Sequence, residues 1–347
     1  MMRFSVLRFP LMLAALLLVA SCDRAPTLHK LSGPTMGTVW HVTLSVPPGQ
    51  ALTRDELVQA IEAELEVVNA SMSTYREDSE ISRFNRSPVG EWFRVTPDFV
   101  RVLSSAISVG KASNAAYDVT VGPLVNLWGF GPGGDAVQPP AQAAIDEALG
   151  RVGQDKLRVD AADSAVLKSA GVYLDFSSIA KGYAVDRVAS RLAALGIVDY
   201  LVEVGGEMRV SGKSPRGDAW RVAIEQPDAQ QVGIAGAIRL VNAGIATSGD
   251  YRNYFESDGV RYSHTIDPRT GHPVAHELVS VTVVHPSTML ADAWATALTV
   301  MGAEEAWSVA EEQGLAVYLI ERDGGSYTSR HTEAFTPLLE ALPQAQP

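Results

Sequence analysis

One helix-length segment sets the first constraint on this chain. Thr288 to Gly302 reads Thr-Met-Leu-Ala-Asp-Ala-Trp-Ala-Thr-Ala-Leu-Thr-Val-Met-Gly, with Asp292 as its single charge. Trp294, Leu298 and Met301 share one helical face, while Asp292, Thr296 and Thr299 fall nearly opposite. That second face is otherwise Ala and Val, where a solvated helix carries Lys, Glu or Gln. The pattern predicts a helix buried on both sides. An unpaired carboxylate inside it is costly or protonates, so Asp292 requires a partner. A carboxylate and a hydroxyl at i and i+4, Asp292 and Thr296, set two hard oxygens side by side. Such a pair suits Mg²⁺ completed by backbone carbonyls, water and a phosphate ligand. Asp292 could equally cap a neighbouring loop, and spacing alone leaves both readings open.

Other helices are marked by their caps. Thr53 with Glu56 forms a capping box for a helix to about Ala70, and Thr96-Pro97-Asp98 opens one to about Lys111. Pro139-Pro140 leads into a helix from Ala141 to Leu149, and Ala180 to Leu195 carries Ala184, Val188 and Leu192 at helical spacing. Strand-like runs cover Thr38 to Val46, Val172 to Leu174, Tyr200 to Val204, Arg221 to Glu225, Ile238 to Val241, Val279 to His285 and Leu315 to Ile320. Turn signals such as Gly205-Gly206 and Asp258-Gly259 separate them. Hairpin-spaced strands with segregated helices predict one continuous α+β body of mixed or antiparallel strands, not a doubly wound α/β sheet. Residues Asp23 to Gly33 read as a polar, irregular tether.

The amino terminus holds Arg3 and Arg8, a short apolar run from Leu11 to Val19, and Ala20-Ser21-Cys22. This is the shape of a secretory signal, too short for a membrane-spanning helix. Val19-Ala20-Ser21-Cys22 resembles a bacterial lipobox, in which the cysteine becomes the acylated first residue, and Cys22 is the sole cysteine of the chain. Asp23 directly after it resembles the signal that retains such lipoproteins at the inner membrane. The expectation is a lipid-anchored protein facing the periplasm. Lys and Arg number 28 against 40 Asp and Glu, a net charge of −12 that excludes broad electrostatic attraction to nucleic acid. An anionic ligand therefore needs a local cation.

Leu174-Asp175-Phe176-Ser177-Ser178-Ile179-Ala180-Lys181-Gly182-Tyr183 supplies one where a strand leads into a helix, since free amides at the helix start would reinforce Lys181. The Walker and dinucleotide-binding glycine patterns are absent, as are metalloprotease and nucleophile-elbow motifs. Gly33-Pro34-Thr35-Met36-Gly37-Thr38 offers backbone that a ligand can approach closely. Ala116-Tyr117-Asp118-Val119-Thr120 with Trp128 and Phe130 offers aromatic faces for a flat ring, or for the core. His264-Thr265-Ile266-Asp267-Pro268 reads as a strand end entering a turn, with His264 either a base, a phosphate contact or structural.

In this order, these segments together with Ser73-Thr74-Tyr75, Asp78 to Asn85 and Val204-Gly205-Gly206 resemble the ApbE family, the FAD:protein FMN transferases, from about Gly33 to Gly302. The resemblance implies a single-body α+β fold of the tunnelling-fold type, residues 33–340, after a signal peptide (1–21) and a lipid-anchored tether (22–32). It implies that Met36, Tyr75, Ala116, Tyr117, Asp118, Asp175, Lys181 and Ile266 contact FAD. It implies that Asp292, Thr296 and the Ser178 to Ala180 turn hold Mg²⁺, with Mn²⁺ as an alternative of the same oxygen chemistry. The implied reaction moves FMN from FAD to a threonine of a membrane or periplasmic electron-transfer protein and releases AMP, with His264 a candidate to take the hydroxyl proton or steady the phosphate. A FAD pyrophosphatase and a non-catalytic flavin-binding lipoprotein are the rival readings.

Overall fold

The computed structural model describes residues 25–134, 138–227, 233–249 and 254–340. The signal sequence and Cys22 lie outside them.

An eight-stranded antiparallel sheet is the frame. It comprises β1 (Thr27–Thr35), β2 (Thr38–Val46), β6 (Asp199–Val204), β7 (Glu207–Ser211), β10 (Ala243–Gly249), β13 (Leu278–His285), β14 (Ala316–Asp323) and β15 (Ser326–His331), in the order β1-β2-β6-β7-β10-β13-β14-β15. Small sheets flank it: β3 (Trp92–Arg94), β4 (Leu157–Asp160) and β5 (Ala165–Lys168) form one, and β8 (Trp220–Gln226), β9 (Gly233–Leu240) and β16 (Leu339–Glu340) another. A hairpin of β11 (Tyr254–Ser257) and β12 (Val260–Ser263) stands apart.

Among the described residues the helices are α1 (Arg54–Met72), α2 (Glu80–Arg86), α3 (Pro97–Ala112), α4 (Gly122–Leu127), α5 (Gln142–Leu149), α6 (Ala180–Ala194), α7 (Thr288–Met301) and α8 (Ala303–Glu312). The predicted Thr53 capping box opens α1, and Thr96 caps α3. One face of the large sheet carries the helical layer, with α6 over β6 and β7 and α7 over β10 and β13. Trp40, Val42 and Leu44 of β2, Val202 and Val204 of β6, and Val281 and Val283 of β13 point into this core. The other face packs on β8 and β9 through Val210, Trp220, Val222, Ile238, Tyr318 and Phe335. Because β13 is covered on both faces, it reads as an almost continuous apolar run rather than an alternation. The α+β architecture with segregated helices is as the sequence predicts.

Helix α7 is buried as its composition demands, all but Leu290 and Thr296 being inaccessible. Its start is tied to the start of α6. Gly182 of α6 lies so close to α7 that a Cβ there would overlap the Thr288 carbonyl and sit 2.8 Å from the Asp292 Cβ. The two helices cap each other. The Gly182 N–H donates to Asp292 Oδ2 at 2.9 Å, while the Thr288 and Met289 N–H groups donate to Asp186 of α6 at 3.0 and 3.1 Å. Each carboxylate thus satisfies amides that a helix start leaves unpaired. Ser287 completes the α7 cap through its own hydroxyl and donates to Asp186 Oδ2 at 2.8 Å. Before it, His285 Nδ1 accepts the Ser287 N–H at 2.9 Å.

Three sequence readings are corrected. The tether ends early: Thr27–Thr35 is an edge strand paired along its length with β2, because Leu31 alternates inward among polar neighbours and is buried. The Met36-Gly37 segment is accordingly the tight turn of that hairpin, both residues at positive φ (48° and 71°), rather than a lead-in to a first strand. Val172 to Leu174 forms no ladder. Tyr173 makes an isolated bridge to Val121, and the Leu174 backbone is satisfied at both its groups by the Asn85 side-chain amide, at 2.8 and 2.9 Å.

Replacing Asp186 with Ala removes the α7 cap and should cost about 1–2 kcal/mol in urea unfolding. Burial lowers the His285 pKa, so its neutral form is favoured in the folded chain and stability is lost as pH falls below the usual histidine range. His285→Asn keeps an acceptor without a titration. The thermal midpoint of that variant should fall less between neutral and mildly acidic pH than that of the native chain.

Candidate functional site

The start of α6 lies beside the β6–β7 turn, where Lys181, Asp292 one turn into α7 and Glu207 of β7 converge. Lys181, second residue of α6, donates through Nζ to Glu207 Oε1 at 2.8 Å, and Asp292 Oδ1 lies 3.9 Å from the same nitrogen. Glu207 and Asp292 are buried, while 29% of the Lys181 side chain is exposed. Burial pushes Glu207 upward against the opposing pull of Lys181, with Asp292 adding to the rise. Asp292 is also raised by burial, against Lys181 and the Gly182 amide. For Lys181 burial acts downward, but Asp292 and Glu207 outweigh it and hold the ammonium charged. Gly205, at φ 58°, lets the turn approach Thr38 and the Lys181 stem.

Around this centre stand several of the predicted residues. Ser178 donates to the Tyr117 hydroxyl at 3.0 Å. Burial raises the Tyr117 pKa, with contributions from Asp292, Asp175 and Asp118, so the phenol stays protonated. Asp175 accepts the Ser177 N–H at 2.8 Å, and its charge, after partial burial, raises the pKa of the exposed Tyr75. Met36, half-buried, sits on the turn next to Thr38. Ala116 is buried before Tyr117, in a loop that two left-handed residues, Asn114 and Ala115, turn sharply. Asp118 is committed to structure: Oδ1 accepts from the Thr120 amide and hydroxyl at 2.7 and 2.6 Å, and Oδ2 from the Gln154 amide.

His264 and Ile266 lie by a second, smaller hydrophobic core. Ile266 is buried with Leu124, Trp128 and Ile145, so the backbone is the part of it nearest to a ligand's reach. Trp128 donates to the Gly271 carbonyl at 2.8 Å and is core, the second of its two sequence readings. The aromatic faces come instead from Phe130, Phe255 and Tyr262, with centroid separations of 5.7 and 5.0 Å, and His264 meets Phe130 edge-on at 6.4 Å. Sequence reading missed Phe255 and Tyr262, and above all Glu207 and Asp186. A signal for Asp186 existed in the matched four-residue spacings, Gly182 to Asp186 and Thr288 to Asp292.

The donor set suits a hard cation. Asp292 spends Oδ2 on the Gly182 amide and leaves Oδ1 without a hydrogen bond closer than the 3.9 Å lysine. Thr296, one turn on, is half-buried, whereas Thr299 is already bonded to the Ala295 carbonyl at 2.8 Å. Ser178 keeps its lone pairs while donating to Tyr117. Ala180 fits less well, since the carbonyl of a first helical residue points along the helix to the amide four residues on. Among the described residues no group of three or more His, Cys, Asp and Glu has metal-ligating spacing. One carboxylate with neutral oxygens is the pattern of Mg²⁺ shared with a phosphate ligand. A separate cavity of about 390 Å³ lies on the outer side of α6, where Arg187 is already paired with Glu64 and Asp98.

The ApbE family profile matches residues 36–319. The chain belongs to the ApbE family. Among ApbE relatives, the FAD:protein FMN transferase of Haemophilus influenzae is 44% identical over 332 residues, 94% of this chain and 96% of that one. The Escherichia coli FAD:protein FMN transferase is 39% identical, covering 97% and 99%. The flavin transferase ApbE from Vibrio cholerae superposes with a TM-score of 0.84 at 41% identity, over 90% of this chain and 100% of that structure. The apo flavinyl transferase ApbE of Pseudomonas stutzeri gives 0.85 at 39% identity, over 92% and 99%.

Lys181→Met leaves two buried carboxylates facing each other. It should cost about 2 kcal/mol in urea unfolding, less than a fully buried pair because the lysine is partly exposed. Adding Glu207→Gln should return part of that loss.

Proposed function

We propose that this chain transfers the FMN half of FAD to a threonine hydroxyl of an acceptor protein and releases AMP. The observation that carries the reading is Lys181, on the first turn of α6, beside a buried aspartate with a spare oxygen, in a chain whose relatives are named for this transfer. An ammonium held at a buried carboxylate is suited to a pyrophosphate in a chain of net charge −12. The hydroxyl oxygen bonds to the phosphorus of the FMN phosphate, the bond from that phosphorus to the bridging oxygen breaks, and AMP carries the bridging oxygen away. Phosphoryl chemistry of this kind depends on positioning and charge neutralisation more than on covalent help from the protein.

In this reading Lys181, fixed by Glu207, steadies the pyrophosphate, and a ring nitrogen of His264 receives the hydroxyl proton. Asp292, Thr296 and Ser178 would hold Mg²⁺, which when bound supplies charge neutralisation at the phosphate oxygens. Met36, Ala116, Tyr117, Asp175 and Tyr75 line the FAD side, with Asp118 shaping the loop and Ile266 contributing backbone. The Phe130, Phe255 and Tyr262 faces are suited to the flavin ring. The Val19-Ala20-Ser21-Cys22 motif supports anchoring by lipid at the inner membrane, facing the periplasm, where electron-transfer subunits would be the acceptors. No helix among the described residues is long and apolar enough to cross a membrane.

The test mixes the chain with FAD, Mg²⁺ and a threonine-bearing acceptor domain and reads acceptor mass and AMP together. FMN added to the acceptor with matching AMP is expected. AMP with free FMN and an unmodified acceptor would instead make the protein a FAD pyrophosphatase, and intact FAD a flavin-binding lipoprotein. Asp292→Asn should lower transfer about a hundredfold or more. Glu207→Gln, which acts through Lys181, should lower it about tenfold. His264→Ala should slow transfer while FAD still binds; a native rate would remove His264 from the reaction.

A further inference from the structure

The large sheet has two distinct ends. At one lie the Met36-Gly37 turn and the Gly205-Gly206 turn, hence the candidate site. At the other lie the start of β1, the end of β2, the α6–β6 connection and the β9–β10 turn. The register places them side by side: Thr27 pairs with Val46, Ser45 with Asp199, Tyr200 with Ser211, and Val210 with Ala243. At this second end three large apolar side chains are turned to solvent, Leu28 at 47%, Val198 at 59% and Val241 at 55%. The strands that carry them span five positions, about 19 Å across at ~4.8 Å per strand.

We infer that this end of the sheet rests on the surface of the lipid bilayer and that the candidate site opens away from it. The inference rests on the lipid-anchor reading of Cys22. Five residue steps separate Cys22 from Thr27, a reach of at most ~17 Å at ~3.4 Å per residue. An acylated Cys22 therefore keeps the start of β1 close to the headgroups. Two lysines at this end are placed to meet such a surface. Lys30 and Lys213 are exposed, with no ion-pair partner among the described residues. Of the acids at this end, Asp199 accepts the Lys213 backbone N–H at 2.7 Å and Asp218 lies 3.4 Å from both Arg216 and Arg221, while Asp55, Glu311 and Glu312 are exposed. Side chains such as Leu28 and Val198 that waste apolar surface in water gain by entering the interface, and single lysines gain near anionic lipid.

The geometry also sets the acceptor. β2 runs nine residues from the anchored end to the turn beside the site, about 30 Å at ~3.3 Å per residue. A threonine on a domain or loop standing that far above the membrane is in reach, whereas one at headgroup depth is not.

The test uses the full lipidated chain reconstituted in vesicles of mixed zwitterionic and anionic lipid. Cys22 is the only native cysteine and its sulfur carries the lipid, so Val198→Cys or Gly325→Cys, on the β14–β15 turn at the site end, provides a single thiol for a fluorophore. With a quencher on the lipid headgroups, the label at 198 is expected to be quenched several-fold more than the label at 325. Val241→Glu in the Val198→Cys background should weaken that quenching, because a carboxylate is repelled from the contact. Equal quenching at both positions, stronger quenching at 325, or indifference to Val241→Glu in a chain that floats with the vesicles would overturn the docking alone. A chain that does not float with them would overturn the anchor reading, and the docking with it.

Discussion

Everything at the candidate site depends on one mutual arrangement, two helices that cap each other at their starts. Asp292 on α7 takes the Gly182 amide of α6, and Asp186 on α6 takes the Thr288 and Met289 amides of α7. A glycine at 182 is obligatory there, since any side chain would overlap α7. The exchange solves two problems at once. Both carboxylates are shielded from water and would be costly without donors, and both helix starts expose amides that need acceptors.

Lys181 then sits where its charge is most useful and most constrained. Glu207 holds one side of the ammonium and Asp292 stands at 3.9 Å, while part of the lysine side chain stays exposed. Two buried acids against one base leave the cluster short of positive charge.

Much of the architecture was legible. Capping residues and apolar periodicity located α1, α3, α5, α6 and α7, and the composition of α7 alone required a layer on each side of it. The runs around β2, β6, β8, β13 and β14 carried enough β-branched residues to be recognised. Elements whose stabilisation is not local escaped: β1 is polar along most of its length and is a strand because β2 lies beside it, β7 is short, and β10 is rich in Gly and Ala and depends on its neighbours in the sheet. Val172 to Leu174 went the other way, its β-like residues being held by Asn85, a partner 89 residues away in sequence.

Residue types in order determined the family and the presence of Asp292, Lys181 and Tyr117 near helix or strand ends, because those signals are local or are carried by motif. Which groups meet could be decided only by the tertiary structure. Glu207 looks like an ordinary polar residue after a glycine turn until the β6–β7 hairpin carries it to Lys181. Asp186 looks like a solvated helix residue until α7 begins beside it. Asp292 had two readings, a cap or a metal ligand: the fold makes Oδ2 a cap of the Gly182 amide, and Oδ1 lies 3.9 Å from Lys181. Coulomb and hydrogen-bond terms depend on distance in space, and only chain folding sets those distances.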